Sequence, residues 1–417
     1  MTADTLALLG GLKAVTASPR SFVRYGDAEL EQLKEALAQG TLFYAHGKKV
    51  KELCARFADM HGVAHCIPTS SCTASLHVAV AALDLEPGDE IITAPITDMG
   101  TVLGMLWCQL VPIFADVDPD THLLDPASVE ARITPRTKAI VPVHMAGTPC
   151  DMAAMRAIAD KHGLAIIEDC AQSYLAEFSG KKVGTFGELS CFSINEYKHI
   201  SCGDAGLILT NDDHLASRCR LLIDKGYDRS GLLRIRTTPF LAMNYRMTEL
   251  QGAVALAQLD KLESIVVHYR AMYDRFHAAM QGVEGLHLPV ETLRGRTSAW
   301  FYMMRIDEAK LGVTRDWFAE AVRAEGAPGG GYIPFPIYLN DIFANQATLG
   351  TSHLPYSLPG VEIGDRYAEG VCPNAEMLLK TCLNFSMSLG QTEELVDQYA
   401  TAYKKVAAYC MKQKSCV

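Results

Sequence analysis

The chain has 417 residues, of which 49% are hydrophobic and 21% are charged, and its formal net charge is -10 at pH 7. This length exceeds one ordinary hydrophobic core, so we expect a globular protein with a large and a small domain. The acidic balance without a long basic tract argues against nucleic-acid binding, and no uncharged apolar run approaches the roughly 18 residues that a membrane span needs.

The cysteines and the N-terminus indicate the cellular compartment. Thirteen cysteines are scattered along the chain without one Cys-x-x-Cys pair. This pattern argues against both a disulfide framework and a cysteine metal site, so we expect reduced thiols and no metal. Residues 1–4 include an acid where a secretory signal has basic residues, and the apolar run Leu6–Leu9 is too short for a signal core. We therefore predict a cytoplasmic protein.

The first predicted elements are two helices, Asp27–Leu37 and Lys48–Met60, which Gly40 separates. From His65 to Thr210 short apolar runs alternate with helical segments. This alternation is typical of a mostly parallel sheet with helices on both faces. The predicted strands of this region are Glu90–Thr93, Val111–Phe114, Ala139–Val143, Ala165–Ile167, Leu189–Phe192 and Gly206–Leu209.

The last part of the chain has a different pattern. Apolar residues recur at helical spacing over Thr248–Met280, which predicts one long helix that joins two domains. A strand over Ala299–Met304 and a helix over Arg315–Glu325 then indicate an α+β unit. We place a helical lead-in and the large domain at residues 1–265, and the small C-terminal domain at residues 266–417.

Hydroxyl-rich residues lie where a short strand passes into a predicted helix. The segment Thr69–Leu76 follows the strand and opens the amphipathic helix Ala74–Leu83. Free N–H groups and the positive end of the helix dipole favour a phosphate there, and Thr73 can add a hydroxyl. An ordinary N-cap would use the same residues without any ligand.

An acidic pair ends the next informative strand. Ala165–Ile167 is apolar, and Glu168 and Asp169 follow it at the edge where open α/β sheets place ligands. A carboxylate beside the pyridine nitrogen of pyridoxal phosphate keeps that nitrogen protonated, so the ring can accept electrons. Gln172 could reach the 3-hydroxyl of the same ring. Alternatively, one acid caps the next helix and the amide lies on the surface.

Lys198 follows Ser193 by five residues and precedes the turn Gly203–Gly206. Ser193 suits a phosphate, and Lys198 suits a Schiff base with the cofactor aldehyde. A lysine with this function must be neutral when it attacks, which requires a desolvated or electrostatically tuned pocket. Alone, Lys198 would be a solvated surface residue, so its assignment depends on the phosphate and acid segments. Asn244 is a further candidate, which alone would only be a helix-start turn.

Seven segments occur in a fixed order along the chain: Ser71–Leu76, Pro87–Glu90, Thr137–Ile140, Val143–His144, Glu168–Gln172, Ser193–Gly206 and Asn244–Gln251. Together they resemble the DegT/StrS type of sugar aminotransferases, which are fold-type I pyridoxal-phosphate enzymes. The resemblance covers about residues 25–270. It implies an α/β fold with a mostly parallel, seven-stranded sheet between helices and a smaller α+β C-terminal domain.

The resemblance also implies a role for each site residue. Lys198 would bind the cofactor covalently and move the proton, and Asp169 would pair with the ring nitrogen. Thr73 would hold the phosphate, and Asn244 would reach it from the partner subunit of a homodimer with shared active sites. The expected cofactor-binding residues are Ser71, Cys72, Thr73, Asp98, Met99, Asp169, Gln172, Ser193, Lys198 and Asn244.

The chain departs from the family pattern in three places. Asp98 stands where the family usually has an aromatic residue on the cofactor ring, so Met99 could pack there, or Asp98 could face a substrate amine or hydroxyl, or Asp98 could be a plain surface residue. Cys72 replaces the usual glycine before Thr73, and Gly203–Gly206 reads Gly-Asp-Ala-Gly in place of Gly-Glu-Gly-Gly. The last two changes are small enough to keep the cofactor site.

The activity implied by the resemblance is transamination in amino-sugar biosynthesis, from glutamate or glutamine to a ketone of a sugar or cyclitol, with Lys198 as acid and base. A dehydratase with the same cofactor is one alternative, although related dehydratases replace the lysine with histidine. A regulatory or scaffold protein that binds the cofactor without turnover is the other. The loops Thr41–His46, Gly226–Pro239 and Gly329–Tyr338 are expected to shape the substrate pocket.

Overall fold

The computed structural model describes residues 5–229 and 237–414. Residues 1–4, used above for the predicted compartment, and residues 230–236 of the predicted loop Gly226–Pro239 lie outside the described residues. The strands are β1 His65–Thr69, β2 Glu90–Thr93, β3 Val111–Phe114, β4 Thr137–Val141, β5 Ala165–Asp169, β6 Glu177–Phe178, β7 Lys181–Lys182, β8 Leu189–Ser193, β9 Gly206–Thr210, β10 Leu286–His287, β11 Gly295–Arg296, β12 Phe301–Ile306 and β13 Cys382–Ser386. The helices are α1 Asp27–Ala38, α2 Lys49–His61, α3 Cys72–Ala82, α4 Gly100–Trp107, α5 Pro126–Ala131, α6 Met152–His162, α7 Asp213–Leu222, α8 Glu249–Leu259, α9 Leu262–Met280, α10 Glu308–Leu311, α11 Arg315–Ala324, α12 Asp341–Ala344, α13 Pro373–Thr381 and α14 Glu393–Lys414.

A seven-stranded sheet lies at the centre, in the order β1-β9-β8-β5-β4-β2-β3. The strands from β8 to β3 pair in parallel, whereas β9 is antiparallel to both of its neighbours. Every residue of β2, β3, β8 and β9 is buried, because helices cover both faces of the sheet. The mostly parallel, seven-stranded sheet predicted above is confirmed.

The sheet brings three strand ends to one edge. Strand β5 ends at Asp169 and β8 ends at Ser193. Because β9 runs the opposite way, its first residue, Gly206, pairs with both Ser193 and Thr69. A side chain at Gly206 would clash with the Ser71 carbonyl, so only glycine allows the N-terminus of α3 to approach this edge.

The single long helix predicted over Thr248–Met280 is wrong, because α8 and α9 are separated at Asp260–Lys261. Apolar residues at helical spacing indicate that a helix has a buried face. Both α8 and α9 have such a face, so the apolar pattern continues through the bend between them. Val266 of α9 packs in the core beside α2 and α8, whereas Phe276 packs in the C-terminal core. The predicted domain boundary between residues 265 and 266 falls inside α9 and stays a prediction.

The C-terminal part contains a second, antiparallel sheet in the order β10-β12-β13. Helices α9, α11 and α14 pack on it, which gives the smaller α+β unit predicted from the sequence. Tyr338, Phe343 and Tyr367 instead return to the core of the central sheet. Among the described residues, no helix combines the length and apolar character that a membrane crossing requires.

Candidate active site

A cavity of about 270 Å³ opens at the edge where β5 and β8 end. The N-termini of α3 and α4 form one side, and the loop between β8 and β9 forms the other. Seven of the predicted cofactor-binding residues line this cavity: Ser71, Cys72, Thr73, Asp98, Asp169, Ser193 and Lys198. The structure therefore brings together residues from four separate stretches of the sequence.

The N-terminus of α3 provides the anion-binding end of the cavity. Ser71 caps the helix, because its Oγ accepts a hydrogen bond from the N–H of Ala74 at 3.1 Å. The first N–H groups of a helix have no partner in their own turn, and Cys72 and Thr73 of this first turn line the cavity. Ser193 adds a buried hydroxyl from the end of β8. These donors suit a phosphate group.

Asp169 lies at the end of β5, where only 4% of the residue is exposed. Thr101 donates its hydroxyl to Oδ2 at 2.8 Å, and the N–H of Ala171 donates to Oδ1 at 3.0 Å. Burial raises the pKa of this carboxyl above its ordinary value, although both hydrogen bonds act in the opposite direction. A buried carboxylate in this position would be stabilised by a cationic ligand atom.

Lys198 is held by its loop and its amine faces the cavity. The N–H of Lys198 donates to the Asn195 carbonyl at 3.0 Å, and the Arg24 guanidinium donates to the Lys198 carbonyl. Burial lowers the pKa of the amine, and the acidic groups of Cys72, Asp169 and Asp98 oppose this effect. The desolvated setting expected for a nucleophilic lysine is therefore present.

Asp98 projects into the cavity near the start of α4. Its Oδ1 accepts a hydrogen bond from the N–H of Gly100 at 2.8 Å, as in a turn that starts a helix. A Cβ atom at Gly100 would lie 2.6 Å from Thr73 Oγ1 and 3.0 Å from Asp98 Oδ1, so glycine leaves room between these two groups. Met99 does not line the cavity, and its Sδ contacts Asn340 Nδ2 at 3.8 Å. Its predicted place on the cofactor ring stays a prediction.

Gln172 and Asn244 also lie outside the cavity lining of this chain. Gln172 is buried, its Oε1 accepts from the N–H of Ala146 at 2.8 Å, and its Nε2 donates to the Tyr332 hydroxyl at 3.3 Å. Burial raises the pKa of Tyr332 to about 12, so the phenol is protonated at neutral pH. Asn244 is exposed, and its backbone forms an isolated antiparallel β-bridge with that of Asp224.

Glu168 does not line the cavity, but its hydrogen bonds support the site. Its Oε1 accepts from the N–H groups of Phe186 and Gly187 at 2.7 and 2.8 Å, and its Oε2 accepts from Gly184 N–H at 2.8 Å and from His144 Nε2 at 3.1 Å. This fully buried carboxylate ties the loop before β8 to β5. Glu168 thus fixes the strand end that carries the neighbouring Asp169.

Replacing Glu168 with glutamine should lower the free energy of unfolding by about 3 kcal/mol. The amide nitrogen would face N–H donors, so at least one buried donor would lose its partner. Denaturant titration of the cofactor-free protein measures the change. Glu31, which is 62% exposed beside Lys34, is the matched control, and its change to glutamine should cost less than about 1 kcal/mol. Equal losses in both variants would contradict the support function.

Sequence reasoning missed Thr101, Asn195, Asp204 and Trp300. Thr101 lies three residues after Asp98 at the start of a helix, and this spacing is a local signal that could have linked it to the site. Asn195 and Asp204 lie in the recognised lysine segment but were given no role. Trp300 gave no local signal, since it contacts the Lys198 loop from 103 residues away in the sequence.

Comparisons with known proteins agree with this arrangement. A family model described as the DegT/DnrJ/EryC1/StrS aminotransferase family matches residues 24–362. The spore coat polysaccharide biosynthesis protein SpsC of Bacillus subtilis (strain 168) is 30% identical over 397 residues, which is 93% of this chain and 96% of that protein.

Solved structures are similar over nearly the whole chain. The structure of 3-amino-5-hydroxybenzoic acid synthase has 26% identity and a TM-score of 0.83, and the match covers 94% of this chain and 99% of that one. The structure of DesI in the presence of its TDP-sugar product has 27% identity and a TM-score of 0.80, with 100% and 99% coverage. These similarities extend the match beyond the segments that surround the cavity.

Proposed function

The chain belongs to the DegT/DnrJ/EryC1/StrS aminotransferase family, and we propose that it transfers an amino group from glutamate or glutamine to a ketone of a sugar or cyclitol. It is a pyridoxal-phosphate-dependent enzyme of the fold-type I class. The observation that carries the proposal is that one cavity brings together Lys198, Asp169 and the hydroxyl-lined N-terminus of α3. Lys198, where related dehydratases have a histidine, favours this activity over a dehydratase, and membership of an aminotransferase family favours it over a regulatory protein.

The residues of the cavity fit pyridoxal phosphate. The donors of Ser71, Thr73 and Ser193 suit its phosphate, the Asp169 carboxylate suits its ring nitrogen, and the Lys198 amine suits its aldehyde carbon. When bound, this cofactor supplies a ring that withdraws electrons from the carbon atom whose C–H bond is broken.

Each side chain then has a defined function. Lys198 would take a proton from the α-carbon of the donor and later deliver one to the former carbonyl carbon of the acceptor, so its amine must change charge during the reaction. Burial favours the neutral amine that starts this exchange. Asp169 stays ionised and holds a proton at the ring nitrogen, while Thr101 and the Ala171 N–H orient the carboxylate.

Two observations support a polyhydroxylated acceptor. Asp98 presents a carboxylate to the cavity in place of an aromatic ring. Tyr332 lies beside Gln172 and near enough to Asp98 and Asp169 for their charges to raise the pKa of its phenol. Carboxylate, phenol and amide groups are suited to the hydroxyl groups of a sugar or cyclitol. Among the relatives, SpsC is named for polysaccharide biosynthesis and DesI was solved with its TDP-sugar product.

The proposed enzyme is a cytoplasmic homodimer with shared active sites. Asn244 is exposed and does not line the cavity of its own chain, as expected if it reaches the phosphate of the partner subunit. The twelve cysteines in the described part of the chain are free thiols, which supports a reducing compartment.

Spectroscopy of the separate half-reactions tests the proposed donor and acceptor. With pyridoxal phosphate, the protein should have a visible absorbance band that glutamate or glutamine removes, and a keto-sugar or ketocyclitol should then restore it. Mass spectrometry of the ketone should show conversion to the amine. Because 2-oxoglutarate reverses the glutamate half-reaction, it checks that the treated enzyme is still competent. A band that neither donor changes would overturn the donor proposal, and recovery only with 2-oxoglutarate would overturn the acceptor class.

A further inference from the structure

The amine of Lys198 lies over an aromatic ring from the C-terminal part of the chain. Lys198 Nζ is 4.1 Å from the ring centroid of the half-buried Trp300. Within the described chain, this Nζ has neither a hydrogen bond nor an ion pair with the protein. Tryptophan is the aromatic residue that attracts a cation most strongly, and the attraction acts within about 6 Å of the ring centroid. The ring face is therefore a specific partner for the charged amine.

We propose that the ring of Trp300 is the resting site of the Lys198 amine whenever this lysine is not bonded to the cofactor. The inference rests on the proposed function of Lys198 and makes Trp300 a positioning residue. The donor nitrogen would replace the lysine in the first half-reaction, and the lysine would stay free until it displaces the product amine at the end of the second. The free amine therefore needs a place from which it can reach the substrate again.

Two hydrogen bonds hold the stretch of chain that carries Trp300 beside the loop that carries Lys198. Trp300 Nε1 donates to the Tyr197 carbonyl at 3.0 Å, directly before Lys198. His199 Nε2 donates to the Ser298 carbonyl at 3.1 Å, directly after it. The two bonds run in opposite directions between the same two stretches of chain, so the ring and the lysine loop are held together on both sides of the reacting amine.

The backbone of Trp300 is also fixed to both parts of the protein. Its N–H donates to the Ala146 carbonyl at 3.1 Å, and its carbonyl accepts from the N–H of Met387 at 3.1 Å. Ala146 follows β4 of the central sheet, whereas Met387 follows β13 of the C-terminal sheet. The ring position is thus set by the fold and does not depend on Lys198 itself.

The ring stabilises the charged amine without acting as a base. The acidic groups that line the cavity around the lysine are Cys72, Asp98, Asp169 and Asp204. His199, the next residue after Lys198, is buried, and burial lowers its pKa to about 4. Asp169 would be occupied by the ring nitrogen of the cofactor. A ring face takes no proton and makes no directed hydrogen bond to the amine, so Lys198 can keep its proton there and still leave for the substrate.

Competitive acetylation of the cofactor-free protein measures the acidity of Lys198 directly. Acetic anhydride reacts with the neutral amine, and mass spectrometry of the peptide that contains Lys198 gives its pH midpoint. Trp300→Leu should lower this midpoint by about one pH unit, and Trp300→Phe should lower it less because a ring remains. Trp107→Leu, at a 60% exposed tryptophan outside the site, is the control and should leave the midpoint unchanged.

An unchanged midpoint in Trp300→Leu would overturn the inference. Should this variant fail to fold, Trp300→Met decides by the same criterion. In the loaded enzyme, the acid limb of the acceptor half-reaction should move to lower pH by the same amount. Labelling needs neither cofactor nor turnover, so its outcome is separate from the proposed function, which fails if Lys198→Ala keeps the visible band.

Discussion

Lys198→Ala is expected to lose the visible absorbance band of the covalently bound cofactor and about 10⁴-fold in turnover. The variant lacks both the nucleophile and the acid–base group, and the acid–base contribution alone is worth about 10²- to 10⁴-fold. Within the described chain, no second lysine lines the cavity that could replace it. Absorbance spectra and steady-state rates of the purified proteins measure the two losses.

Binding of the cofactor should survive this change. Thr73, Ser193 and Asp169 remain in place, so the variant should retain pyridoxal phosphate without a covalent bond, as equilibrium dialysis can show. Lys181→Ala removes an exposed lysine on β7 and is the matched control, with an unchanged spectrum and rate. A full visible band in Lys198→Ala would assign the covalent bond to another residue.

The central sheet could be predicted from the sequence because strand and helix periodicities differ. The strands Glu90–Thr93 and Val111–Phe114 were predicted with their observed bounds. The separation of α8 from α9 at Asp260–Lys261 was not predicted, since a bend that keeps the same buried face leaves the apolar pattern unbroken.

The parts of the site that could be predicted lie beside strand ends. Asp169 and Ser193 each end a strand, so the rule that ligands bind at this edge applies to them directly. Trp300 and Tyr332 reach the site from the C-terminal third of the chain, and no spacing within one segment reports such a contact. The function of Asn244 depends on a second copy of the chain and stays a prediction.

Asp169→Asn is expected to lower turnover by about 10³-fold while leaving the covalent bond to Lys198 possible. A neutral amide cannot hold the ring nitrogen in its protonated form, so the ring withdraws electrons less well when the C–H bond is broken. The Asn side chain can keep the hydrogen bond from the Ala171 N–H, and Thr101 can turn its hydroxyl towards Thr97, which lies 2.7 Å away. Steady-state rates with saturating cofactor measure the loss, and a rate near that of the wild type would contradict the function of Asp169.

The same substitution should stabilise the cofactor-free protein at neutral pH. Burial raises the pKa of Asp169 above its ordinary value of 3.8, so ionisation costs more in the folded than in the unfolded chain. This cost is absent at pH values well below 3.8, where the carboxyl is protonated in both states. It grows as the pH rises from 3.8 to the raised pKa of the folded protein, and it is complete above that pKa. The neutral amide of asparagine does not incur it.

Thermal melting between pH 4 and pH 7 can measure this difference, since it should grow with pH in favour of Asp169→Asn. Asp160→Asn, at a side chain that is 67% exposed beside Arg156, is the control and should show little pH-dependent change. Saturating pyridoxal phosphate should reverse the order, because the protonated ring nitrogen then compensates the buried carboxylate. A wild type that is more stable than the variant at pH 7 without cofactor would show instead that Lys198 already balances the charge of Asp169. The buried carboxylate of Asp169 therefore destabilises the cofactor-free protein, and the same carboxylate binds the cofactor with its ring nitrogen protonated.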